Sequence, residues 1–121
     1  MRSNKWMSLI TNNIVKFKDR INRRKISGLI KVLQETRTFL ALPDNNFLWS
    51  PWPDANTALA EIDNVITQLE TGIIPNKQKF KQELELLFAP TCHIQEVSVS
   101  SGWADQFLGL SEKFDYEINK L

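Results

Sequence analysis

Apolar residues recur at three- and four-residue spacing along most of the chain, and this period restricts the fold more than any other feature. Trp6, Met7, Ile10, Ile14, Phe17 and Ile21 form a first stripe. At about 100° per residue they fall within an arc of about 100°, with Lys16, Arg20 and Arg23 away from it. Ile26, Leu29, Ile30, Leu33 and Leu40 form a second stripe. On one continuous helix its centre would be rotated by roughly 140° from the first. The change of face, with Ser27-Gly28 weakening the helix locally, predicts a break near Asn22–Gly28.

Turn chemistry divides the rest of the chain. Pro43-Asp44-Asn45-Asn46 closes the second stripe. In Phe47-Leu48-Trp49-Ser50-Pro51-Trp52-Pro53, each residue before a proline is pushed out of the helical region, which predicts a stiff, extended loop. Asp54 is placed to cap a helix that buries Ala55, Leu59, Ile62, Ile66 and Leu69, and Gly72 to close it in the left-handed conformation. Asn76 is the next cap; Phe80, Leu84, Leu87 and Phe88 form the buried stripe after it, and Pro90 stops it. Thr91 to Ser100, with Ile94, Val97 and Val99 among polar residues, has the only strand-like pattern and reads as an extended connector. Ser100 or Ser101 then caps a last helix burying Trp103, Phe107, Leu110, Phe114 and Ile118. The expected fold is all-α: an up-down bundle of four to five helices with one extended connector, spanning residues 1–121 as a single domain.

The chain's 121 residues suffice for a core without metal or disulfide staples, and Cys92 is its one cysteine. Seven Phe and four Trp supply much of the burial. No run approaches the ~18 apolar residues of a spanning helix. Met1 to Ile10 lacks the apolar core and cleavage site of a signal peptide. The expectation is a soluble, cytoplasmic protein away from membranes. The net charge of +1 conceals a division. Residues 1–42 carry ten Lys/Arg against two acids, whereas residues 43–121 carry five Lys against twelve acids.

Catalytic chemistry finds little support. His93 is the only histidine, and beside Cys92 in an extended segment the two side chains would point to opposite faces. A thiolate nucleophile needs an imidazole within hydrogen-bond reach and a group to orient it. A buried or half-buried thiol beside a surface imidazole is the simpler reading. Ser98, Ser100 and Ser101 lack a Gly-x-Ser-x-Gly elbow. One Cys and one His do not make a zinc site, and no Glu-x-x-His or glycine-rich phosphate loop occurs. Neither an enzyme nor a metal or other cofactor is expected.

Two surfaces remain. Phe47, Trp49 and Trp52, in the aromatic-proline loop, and Trp103, after the Ser100-Ser101-Gly102 turn, are candidate partner-binding residues. Stiff aromatics lose little entropy on binding and are frequent at interface hot spots. The same loop would equally seal one end of the bundle. Gly102, read as lying in the first turn of the last helix, is costly there unless backbone packing or a partner needs close approach. The alternative surface is a basic stripe of Lys16, Arg20, Arg23 and Arg24 suited to phosphates. Against it stand the near-neutral chain and the absence of interleaved exposed aromatics. The sequence thus points to a non-enzymatic protein-binding module, an adaptor, inhibitor or immunity-type protein, with a nucleic-acid-associated regulator as the alternative. A homodimer also suits a small bundle with this many aromatics.

Overall fold

The computed structural model describes residues 25–121. The stripe from Trp6 to Ile21 and the basic residues Lys16, Arg20, Arg23 and Arg24 lie outside the described residues. Within them the chain is all-α, with five helices and no strand: α1 (25–40), α2 (Ala55–Thr71), α3 (Lys77–Leu87), α4 (His93–Ser101) and α5 (Ala104–Ile118).

Local chemistry sets most boundaries. Asp54 is extended, and its carboxylate accepts the Thr57 amide at 2.8 Å, starting α2. Asn76 does the same for Lys79 at 3.0 Å, starting α3. Gly72, at φ 72°, closes α2 by donating its N–H to the Gln68 carbonyl. α3 ends at Leu87, ahead of Pro90, with Phe88 as its cap.

α1 and α5 run antiparallel. Gly28 lies against Glu117, Glu35 pairs with Lys113 at 3.2 Å, and Phe39 stacks on Trp103 at 5.1 Å. A Cβ at position 28 would overlap the Glu117 carboxylate, so the glycine is what lets that carboxylate approach α1. Lys120 Nζ stands 3.2 Å from Glu117 Oε2 as an ion pair, although that oxygen accepts no hydrogen bond of good angle. The helix passes through Ser27-Gly28 without interruption, so the break expected near Asn22–Gly28 is not at those two residues. Packing against α5 outweighs a glycine's local cost of about 1 kcal/mol.

The core joins all five helices: Leu29, Leu33 and Leu40 of α1, Ile62 and Leu69 of α2, Leu84 of α3, Ile94 and Val97 of α4, and Phe114 of α5 are enclosed. Phe88 lies face to face with Phe114, ring centroids 4.0 Å apart. Among the described residues the two buried hydroxyls bond within their own helices, Thr36 to the Val32 carbonyl at 2.8 Å and Ser98 to the Gln95 carbonyl at 2.7 Å.

The expected extended connector is a helix. Ile94, Val97 and Ser98 are buried at helical spacing, whereas Val99, counted with them as strand-like, is exposed. Burial of that one face overrides the β-branched preference for strand. Serine does not cap α5: Trp103 occupies that position without a side-chain cap bond, and the Ser101 hydroxyl is engaged elsewhere. Gly102 is not in the first turn of α5 either. It ends α4 at φ 86°, a conformation that favours glycine. Thr91, just before α4, holds φ 60°, a strained value for a β-branched residue.

Candidate functional site: the aromatic-proline loop

Residues 41–54 connect α1 to α2 across one end of the bundle, and α4 lies along them. Bonds to distant helices fix the loop's course. The Asn46 N–H donates to Ser101 Oγ at 2.8 Å. The Ser50 hydroxyl donates to the His93 carbonyl at 3.3 Å and accepts the Trp52 N–H at 3.2 Å. Asn45 is a hinge pin: its amide nitrogen donates to the Phe39 carbonyl at 2.7 Å, and its oxygen accepts Trp103 Nε1 at 2.9 Å.

These bonds separate the four candidate side chains. Trp52 is 2% exposed; its indole N–H donates to Glu61, and its ring meets His93 edge-on at 5.0 Å. Trp103 is 4% exposed between Phe39 and the Asn45 amide. Phe47 is half-buried against the core. Trp49 alone of the four projects outward, 71% exposed, and beside it Leu48 is 75% exposed. The loop is therefore both a seal and a presented surface, with Trp52 and Trp103 as anchors and Leu48-Trp49 as the tip. Leu48 and Leu42, also exposed, are not among the candidates that the sequence singles out. A proline-stiffened loop with several apolar residues is the signal that includes them.

Beside the tip runs an open groove of about 740 Å³, lined among others by Leu42, Pro43, Phe47, Leu48 and Pro53. Among the described residues its only charged lining residue is Asp54. The Thr57 amide, and then the Thr57 hydroxyl, hold the Asp54 carboxyl below the usual carboxylate range. On the adjoining side Arg37 clasps Asp63 with two bonds of 2.6 and 3.1 Å. The hydrogen bond from Arg37 holds the Asp63 carboxyl down.

Cys92 and His93 are both half-buried. The imidazole is not the surface group expected: its ring packs on Trp52, and Nδ1 is buried without a hydrogen bond. Among the described residues, no group of three or more His, Cys, Asp or Glu is placed to hold a metal ion. No described helix is long and apolar enough to cross a membrane.

The class the structure defines is thus an all-α helical bundle with an anchored aromatic loop at one end. No family model, curated protein or solved structure matches the chain.

Proposed function

We propose that the chain is a protein-binding module, an adaptor, inhibitor or immunity-type protein without chemistry of its own, acting in the cytoplasm through the tip of the aromatic-proline loop. The carrying observation is the exposure of Leu48 and Trp49 on a backbone fastened to α1, to α4 and to Trp103 at the start of α5. A large aromatic on a fixed loop loses little freedom when it enters a partner's pocket, and such residues dominate interface energetics. Trp52 and Trp103 serve the same site indirectly by setting the path of the loop.

The test is affinity capture by the tagged full chain from its native lysate, with and without nuclease, alongside the Leu48→Ala/Trp49→Ala variant. The expected result is a stoichiometric protein that survives nuclease and is lost from the variant while circular dichroism and the unfolding midpoint stay unchanged. Retention of that protein by the variant would remove the loop tip as its site. Co-purifying nucleic acid, or proteins lost after nuclease, would favour the basic N-terminal stripe instead.

A further inference from the structure

We propose that the loop tip receives a cationic protein segment with one apolar side, such as a basic amphipathic helix. This rests on the loop being a binding surface and adds the chemistry of what binds it.

Positive charge is missing from a long stretch of the sequence. From Thr38 to Asn76 the chain has no Lys, Arg or His, but it has five carboxylates: Asp44, Asp54, Glu61, Asp63 and Glu70. The cation just before this stretch, Arg37, is already committed to Asp63. The structure extends the acidic stretch in space. The first turn of α4, along the loop, brings Glu96, and the first turn of α5, next to the Trp103 anchor, brings Asp105.

The lysines among the described residues are elsewhere. α2 carries the chain about 25 Å away from the loop before Lys77, Lys79 and Lys81 enter in the first half of α3. Those of α1 lie in its first half, and Lys113 and Lys120 belong to the last part of α5 and beyond, on the side where Gly28 meets Glu117. The end of the described bundle that bears the exposed Leu48-Trp49 pair thus carries Asp44, Asp54, Glu61, Glu96 and Asp105, whereas Glu70 lies at the far end of α2 and, among the lysines, Lys113 and Lys120 are paired with Glu35 and Glu117. Such a field draws cationic partners and repels anionic ones, polyphosphate chains included. Apolar tip and acidic surround together match a segment that is apolar on one side and basic on the other.

The test uses the full-length protein and two labelled helical peptides of ~18 residues, sharing one leucine face but with lysine or glutamate on the other. Binding is measured by fluorescence anisotropy at about 50 and about 300 mM salt. The lysine peptide is expected to bind at least about tenfold more tightly than the glutamate peptide, with the difference shrinking at high salt. Trp49→Ala should weaken it about tenfold. Asp44→Asn, which touches none of the bonds that seat the loop, should weaken it about two- to threefold without changing stability.

Equal affinity for both peptides, reduced alike by Trp49→Ala, would overturn the cationic assignment and leave the loop as a binding surface. Binding of the lysine peptide that ignores both Leu48→Ala and Trp49→Ala would overturn the loop reading itself. Binding of neither peptide also overturns the assignment. So does a peptide-free dimer dissolved by salt and by Trp49→Ala, since the occupant would then be a second copy.

Discussion

Trp49 and Trp52 lie three residues apart in one loop and have opposite environments. Trp52 is enclosed, bonded to Glu61 and packed on His93; Trp49 stands in solvent beside Leu48. The root of the loop is part of the core, while its tip makes no comparable contribution. Residue type alone therefore does not assign an aromatic to folding or to recognition. The bonds made by its neighbours do.

The sharpest way to break this comparison is to remove the root. Trp52→Ala is expected to destabilise the protein by about 3–5 kcal/mol, read as a fall in the urea midpoint, because it opens a cavity among α2, α4 and the loop. A loss below about 1 kcal/mol would place Trp52 with the tip. Two finer cuts remove single bonds. Trp52→Phe keeps most of the ring but drops the bond to Glu61, and Ser50→Ala drops the bonds to His93 and Trp52. Each should cost about 1 kcal/mol in the same measurement.

Acid should loosen the root by a smaller amount. The carboxyls of Asp54 and Asp63 are depressed in the fold, by the Thr57 bonds and by Arg37 respectively. Their stabilisation is complete above the ordinary carboxylate value of about 4 and is lost as pH falls through the lower folded values. Unfolding midpoints measured from about pH 7 to about pH 3 should show this decline. Asp54→Asn, which keeps a capping side chain without a titrating group, should flatten part of it. The smallest effect is expected at the tip, where Trp49→Ala should change stability by no more than about 0.5 kcal/mol. A larger loss would mean that the tip also packs.

Much of the bundle was legible because a few residues act locally. Asp54, Asn76 and Gly72 begin or end helices by bonds within four residues of themselves, so short-range chemistry suffices to place them. The segment from Thr91 to Ser100 was not legible. Its valines and isoleucine favour strand locally, and only the core contacts of Ile94 and Val97 turn it into α4. The candidate site was legible as a loop but not residue by residue. An extended run would put Phe47 and Trp49 on one side. The Ser50 amide instead bonds back to the Phe47 carbonyl at 3.1 Å, and this turn divides exposed from buried at a point that no periodicity marks.

The fasteners of the loop also set an order in time. Ser50 is held by a residue 43 positions further along the chain, Asn46 by one 55 further, and Asn45 by one 58 further. Contacts so distant in sequence close only after the helices bearing the partner residues have docked, because the entropy of closing the intervening chain must be met first. During folding the loop therefore takes its seat late, once α4 and the start of α5 are in place. In the native protein its seat depends on α4 staying docked, so opening of α4 should expose the loop's amides to exchange as well. The presented surface is thus seated by parts of the chain far from it in sequence, and anything that undocks α4 also releases the tip.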